Sequence, residues 1–190
     1  TPESVMDKAT KLETIFDRIH LIDQRFDLLK AQRENAYLRM MLESAKEGKK
    51  LNMNSLQDDV ETINKQLEDD KNFIRRINIG SESMSPEDQQ RVKKIAGYEF
   101  YNASGKLDKF LDENEVYNLT IARGTLTPEE RTIINNHIIV TINMLESLPY
   151  PKDLSRVPEY AGGHHERMDG KGYPKGLTRR SEEQRLNSSH

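Results

Sequence analysis

Three histidines are the residues of this chain best suited to chemistry. His164 and His165 are adjacent, and His137 precedes them on a separate predicted helix. Neutral imidazole nitrogens bind divalent iron, manganese or zinc, and the chain has no cysteine to supply thiolate ligands instead. The pattern therefore predicts a metal site where two helices converge. Of the other two histidines, His20 is predicted at a surface or partner-facing position, and His190 is given no functional role.

The histidine pair carries most of this prediction. A single histidine on an apolar helix face, such as His137 beside Ile134 and Ile138, is more often a hydrogen-bonded core residue than a ligand. Adjacent residues of a regular helix point about 100° apart. His164 and His165 would then serve two neighbouring ions, or one ion and a bridging ligand. An exposed pair near a helix end is the structural alternative.

A glycine-rich loop follows the pair. Residues 166–174 read ERMDGKGYP, in which the Asp-Gly-Lys-Gly stretch requires unusual backbone angles and Tyr173-Pro174 fixes the exit. Lys171 can offset phosphate charge, and Tyr173 can stack on a base or donate a hydrogen bond. The loop therefore predicts a place where an anionic ligand approaches the histidines.

Two helices must position these groups. Thr127 and Pro128 mark a helix start, and this helix is predicted to reach about Leu148. A last helix is predicted over roughly 154–168, with the pair inside it. The small residues Ala161 to Gly163 just before the pair would let another element approach closely.

The preceding part of the chain predicts more helices. An amphipathic helix is expected from residue 7 to about 45, and a second from 56 to 77, forming an antiparallel hairpin or one arm of a coiled coil. Its first apolar stripe is made of Leu12, Ile15, Phe16, Ile19, Ile22, Phe26 and Leu29. Shorter helices are expected over 85–96 and from Asp112 toward Ile121, with residues 98–110 irregular. Nothing alternates with period two, which predicts an all-α fold.

Composition limits the class of protein. Hydrophobic residues make up 34% and charged residues 32%, which suits long, solvent-exposed helices better than one round core. The net charge of −3 argues against non-specific binding to a nucleic-acid polymer. With no membrane-spanning apolar run and no signal sequence, the cytoplasm is the expected location.

The segment HHERMDGKGYP, residues 164–174, resembles the signature of HD-GYP phosphodiesterases. Lys175-Gly-Leu177, the stretch 124–130 and His137 extend the resemblance, which is close over residues 111–179. Residues 1–20 resemble part of an HD core helix, and 21–110 resemble a helical insertion found in some members. Residues 180–190 are expected to be a non-native tail.

The resemblance implies an HD-type helical bundle that hydrolyses cyclic di-GMP to linear dinucleotide or GMP, using two or three iron or manganese ions. His137, His164 and His165 would be metal ligands. The loop would bind substrate through the residues Asp169, Lys171, Gly172, Tyr173 and Pro174. Diguanylate cyclase-type or other signalling domains, and a second copy paired through the coiled-coil arm, are the partners expected.

The family's adjacent His-Asp ligands and a further aspartate do not occur within the chain. The catalytic residues are therefore expected to lie outside it, and little turnover is expected from these residues alone. Three alternatives stay open at this point. The chain can be a non-catalytic docking module. It can carry a metalloprotease-like site at His165-Glu166. This alternative is disfavoured because the motif needs a second ligand one helical turn later, where Gly170 and Gly172 end the helix. It can also be a coiled-coil signalling linker, which leaves residues 164–174 unexplained.

Overall fold

The computed structural model of the chain describes residues 5, 7–48, 53–80 and 83–178. It contains two compact units. We call residues 7–127 the hairpin unit, and residues 1–6 with 128–190 the histidine unit. The predicted tail, 180–190, lies outside the described residues. None of the helices described is both long and apolar enough to cross a membrane.

The described residues are mostly helical, which confirms the all-α prediction. The elements of the hairpin unit are α1 (Ile19–Lys46), α2 (Met53–Asn78), α3 (Pro86–Ala96), β1 (Glu99–Tyr101), β2 (Leu107–Lys109) and α4 (Glu113–Leu119). Those of the histidine unit are α5 (Pro128–Glu146), a 3-10 turn (Lys152–Leu154) and α6 (Val157–Gly163).

Helices α1 and α2 form the predicted antiparallel hairpin. Asp27 accepts a hydrogen bond from Lys71 at 2.6 Å, and Asp23 accepts one from Arg75 at 3.0 Å. The residue numbers of the paired positions therefore increase along one helix and decrease along the other, as in an antiparallel pair. Exposed ion pairs contribute little stability. The larger contribution comes from apolar side chains buried in the unit's core, among them Ile22, Phe26, Leu29, Phe73, Ile74 and Ile77.

The predicted start of the first helix was wrong: α1 begins at Ile19 rather than near residue 7. In the segment before α1, side-chain carboxylates accept hydrogen bonds from backbone N–H groups that would donate to backbone carbonyls in a helix. Glu13 accepts from the amides of Ala9 and Thr10 at 2.7 and 3.1 Å, and Asp17 accepts from Ile19 at 2.9 Å.

Two members of the predicted buried stripe are consequently exposed. Ile15 is 95% exposed and Phe16 is 59% exposed. The expected partial HD core helix over 1–20 is therefore not present in residues 7–18, which form turns and bends before α1.

A short hairpin replaces the irregular segment predicted at 98–110. Strands β1 and β2 pair antiparallel, and Asn102 accepts the amides of Ser104 and Lys106 in the turn between them. Each strand has three residues, and Phe100 is the one buried position in the pair. Strands this short leave no period-two signal in the sequence.

Both predicted short helix starts in the hairpin unit are confirmed. Ser85 accepts the amide of Asp88 at 3.1 Å before α3, and Asp112 and Glu115 form a reciprocal capping box before α4. The carboxylate of Glu115 is also buried and pairs with Arg25 at 2.7 Å, which joins α4 to α1.

Phe110 is fully buried where α1 meets the β-hairpin, with ring-centroid distances of 4.5 Å to Phe26 and 6.2 Å to Phe100. Truncating a fully buried phenylalanine costs about 3–5 kcal/mol. We therefore expect Phe110→Ala to lower the free energy of unfolding by that amount in urea titrations. The same truncation at exposed Phe16 is the matched control and should cost less than about 1 kcal/mol. Equal losses would contradict the described loop before α1.

Candidate metal centre

The two helices of the histidine unit approach each other closely at Gly162. A Cβ atom placed there would lie 2.9 Å from both Cδ1 and Cγ1 of Ile142 on α5. Real Cβ atoms do not come so near a branched side chain, so only glycine fits without a shift. The prediction that small residues before the pair permit close approach is therefore confirmed for Gly162. A Cβ at Gly163 would meet nothing within 4 Å.

The predicted extent of the last helix was wrong. Helix α6 ends at Gly163, His164 is its C-cap residue, and His165 lies in the turn that follows. The amide of Glu166 donates to the carbonyl of Gly163 at 3.0 Å, closing this turn. Because neither histidine continues a regular helix, the 100° separation of helical neighbours does not apply to them.

The structure brings the three predicted histidines together. Each offers one ring nitrogen, and the three nitrogens lie within 4.8 Å of one another. The ring centroids are 3.9 Å apart for His164 and His165, and 5.3 Å apart for His137 and His165. His137 and His165 are half-buried, whereas His164 is exposed to solvent. Within the described ranges this cluster contains no carboxylate.

The ring contacts suit metal binding. Nδ1 of His137 contacts the carbonyl oxygen of Ile134, and Nδ1 of His164 lies 2.5 Å from that of Ala161. A proton on each Nδ1 makes these contacts hydrogen bonds and leaves Nε2 free for a cation. Backbone carbonyls commonly orient metal-binding histidines in this way.

The protonation state of the third ring fits as well. Burial, and then the neighbouring rings of His164 and His137, lower the pKa of His165. A lowered pKa favours the neutral imidazole, which is the form that binds a metal. Three imidazoles would hold a divalent transition ion and leave further coordination positions open. Their role as ligands stays a prediction.

The glycine-rich loop folds back beside the cluster. The ring of Tyr173 stacks on that of His165, with centroids 4.7 Å apart and planes 13° apart. Gly170 has a φ of +74°, which confirms the expected unusual backbone. A Cβ at Gly172 would lie 2.3 Å from the amide nitrogen of Arg167, so this position cannot carry a side chain.

The other predicted substrate-binding residues lie in the same loop. Asp169 accepts the amide of Lys171 at 3.0 Å, and the side chains of both are exposed. Pro174 is half-buried, and the peptide bond before it is cis. No contact with a substrate tests their predicted role.

Sequence reasoning missed the part played by Glu166. Its two carboxylate oxygens accept the amides of Lys175 and Leu177, both at 2.7 Å. This carboxylate fixes the far end of the loop, so the metalloprotease-like role considered for it is not supported. No sequence pattern indicated this contact, because Glu166 precedes the loop and its partners, Lys175 and Leu177, follow it.

A cavity of about 480 Å³ also lies in the histidine unit. Its lining includes Ile142 and Gly162, but none of the three histidines. Its charged lining residues are Glu146, Glu159, Glu166 and Lys175. Carboxylates outnumber cations there, so the cavity repels a phosphate ester. An anionic ligand would instead be drawn to cations held by the histidine cluster.

Comparison with known proteins gives one match. Residues 113–181 match the family model of the HD domain. This HD segment contains all three histidines and the glycine-rich loop. The match supports a metal-dependent phosphohydrolase superfamily for the segment, without distinguishing the HD-GYP branch within it. No curated protein and no solved structure matches the chain.

The cluster predicts how metal affinity responds to loss of one ring. Removing a group that merely supports a ligand costs roughly 10–100-fold in metal affinity. We expect His137→Ala to cost at least about 10-fold for Mn²⁺, measured by isothermal titration. His20→Ala removes an exposed histidine on α1 and serves as the matched control. Unchanged affinity in the His137 variant would rule out the proposed cluster.

The two glycines at the end of α6 provide a second test. Both substitutions by alanine gain helix propensity, but only Gly162→Ala inserts a methyl group against Ile142. We expect Gly162→Ala to lower stability by about 1–3 kcal/mol relative to Gly163→Ala, and to weaken Mn²⁺ binding. Thermal unfolding and titration measure the two effects. Indistinguishable variants would show that the close approach does not position the histidines.

Proposed function

We propose that the protein is a metal-dependent phosphodiesterase of the HD-GYP type, and that its substrate is cyclic di-GMP. The supporting observation is the convergence of three ring nitrogens within 4.8 Å, beside a loop whose Tyr173 stacks on one of the rings. The HD segment supports the coarser part of this proposal, a phosphohydrolase that uses metal ions.

His137, His164 and His165 would hold the ions, which we propose to be two or three iron or manganese ions. A bound divalent ion supplies Lewis acidity toward a phosphoryl oxygen and makes water a better nucleophile at neutral pH. The chain's contribution is orientation. The carbonyl oxygens of Ile134 and Ala161 hold the rings of His137 and His164 in place, so little reordering would accompany metal binding.

The loop would recognise the dinucleotide. Lys171 carries an exposed ammonium group that can reach a phosphate, and Tyr173 offers an aromatic ring for a guanine base. Asp169, Gly172 and Pro174 shape the backbone that presents these two side chains. A substrate with two phosphates and two bases uses both kinds of contact, which favours a cyclic dinucleotide over a simple phosphate ester.

A non-catalytic docking module is the second candidate. One observation favours it: the cluster among the described residues consists of imidazoles alone, without a carboxylate to offset the charge of bound ions. Such a protein would bind metal and keep its loop ordered, but it would neither bind nor hydrolyse the dinucleotide in a metal-dependent way.

Binding of fluorescently labelled cyclic di-GMP, with Mn²⁺ and after chelation with EDTA, distinguishes the two candidates. We expect metal-dependent binding that Tyr173→Ala weakens by about 1–3 kcal/mol, roughly 5- to 150-fold, through loss of stacking. Tyr101→Ala, an exposed tyrosine of the hairpin unit, is the matched control.

Chromatography of the reaction products tests the hydrolytic step. Release of linear dinucleotide or GMP that depends on Mn²⁺ or Fe²⁺ and is lost in His165→Ala is the result expected of the full-length protein. If that protein shows neither metal-dependent binding nor hydrolysis, the phosphodiesterase is excluded and the docking module is favoured.

A further inference from the structure

Helix α1 carries a second apolar stripe that the hairpin does not cover. Leu21 and Leu28 are 40% and 39% exposed, and Leu38 and Leu42 are 58% and 57% exposed. Exposed Ala31 and Ala45 extend the same stripe. Four exposed leucines on one helix are more than the singly scattered apolar residues of an ordinary surface, which is typical of an interaction surface.

The stripe lies opposite the buried face of α1. Ile22, Phe26 and Leu29 are buried in the hairpin core. At about 100° per residue, Leu38 and Leu42 point roughly the other way around the helix, whereas Leu21 and Leu28 lie toward one flank. Gln32 exchanges two hydrogen bonds with the backbone of Tyr101, so β1 borders one flank of the stripe near the middle of α1. The part nearest the hairpin tip is therefore the most accessible.

The spacing of the stripe is that of a heptad repeat. Leu21, Leu28, Asn35 and Leu42 fall at every seventh position, which we assign as a. The d positions are then Gln24, Ala31, Leu38 and Ala45, so the apolar part of the repeat begins at Leu28. A repeat of this kind pairs with another helix of the same kind. A single asparagine at an a position favours two parallel strands in register, because each amide then meets its counterpart.

Flanking charges favour a second copy of the same helix. Glu34 occupies a g position, and Arg39 occupies the following e position. In a parallel pair, the g residue of one helix faces the next e residue of its partner, so the dimer would contain two symmetry-related Glu34–Arg39 contacts. In an antiparallel pair, g residues face each other, and the two copies of Glu34 would repel.

We propose that residues 28–45 of α1 pair with the same residues of a second copy as a parallel, two-stranded coiled coil. The pairing does not rest on the phosphodiesterase proposal, because it uses no residue of the histidine unit.

Sedimentation equilibrium tests the association. We expect the wild-type chain to approach twice its mass of 22.0 kDa with rising concentration. The double variant Leu38→Asp, Leu42→Asp should remain monomeric. Leu107→Asp changes a leucine that is 55% exposed outside the stripe, and should still associate. Circular dichroism of each variant confirms that its helices persist. A wild-type chain that stays monomeric, or a dimer that the double variant retains, overturns the proposal.

Cross-linking tests the orientation. Because the chain has no cysteine, Asn35→Cys introduces a single thiol. In a parallel, in-register pair the two thiols would be close enough to form a disulfide under mild oxidation. Leu107→Cys is the control and should remain reduced. A dimer in which the Asn35 variant does not cross-link, or cross-links no more than the control, overturns the parallel register. Arg39→Glu should weaken association, and adding Glu34→Arg should restore it.

Discussion

The close contact between α5 and α6 at Gly162 is the constraint on which the candidate site depends. Without a Cβ at this position, α6 lies directly against Ile142, and its C-terminal end comes near His137. Any side chain there would separate the two helices, and the later histidines are attached to the end of the helix that would move. The candidate metal centre would therefore be specified partly by a residue that contributes no ligand atom.

A second constraint acts from the other side of the pair. Glu166 holds the amides of Lys175 and Leu177, while Gly172 packs on the backbone of Glu166 and Arg167. The packing of Gly172 and the positive φ of Gly170 account for these two glycines by folding alone, before any ligand is considered. Their consequence is that Tyr173 is placed on the ring of His165. Recognition of substrate and binding of metal would thus share one rigid turn, so a change in the loop should affect both.

Local chemistry that involves few residues could be predicted from the sequence. The caps of α3 and α4 were predictable because each uses a side chain within three residues of the amide it satisfies. The convergence of His137 with the later pair was predictable because a short connection joins their helices, and a shared ion would satisfy all three imidazoles at once. The resemblance of residues 164–174, extended by the stretch 124–130 and His137, identified the same side chains independently.

Predictions failed where a local pattern was overruled by contacts between distant parts of the chain. Ile15 and Phe16 fit a helical period, but the loop before α1 is held by Asn78 of α2. The side chain of Asn78 accepts the amide of Leu12 at 2.9 Å and donates to Asp17 at 3.0 Å. Contacts of this kind also bury Lys11, for which no prediction was made: its ammonium group donates to the carbonyls of Leu119 and Ile121 at 3.1 and 2.9 Å. Burial lowers the pKa of this lysine. Nothing in the neighbouring sequence indicates that two carbonyls more than a hundred residues away will accept its protons.

The two units also differ in what stabilises them. The hairpin unit has a continuous apolar core, whereas in the histidine unit α5 buries Ile138 alone and α6 buries no residue fully. A unit with so little buried surface gains proportionally more from a ligand that binds only its folded form. An ion present at 100 times its dissociation constant contributes about 2.7 kcal/mol by mass action, which is comparable to burying one large apolar side chain. Metal binding at the three histidines would therefore be part of what holds α5, α6 and the loop together, so the chemistry of the site and the folding of its unit cannot be separated.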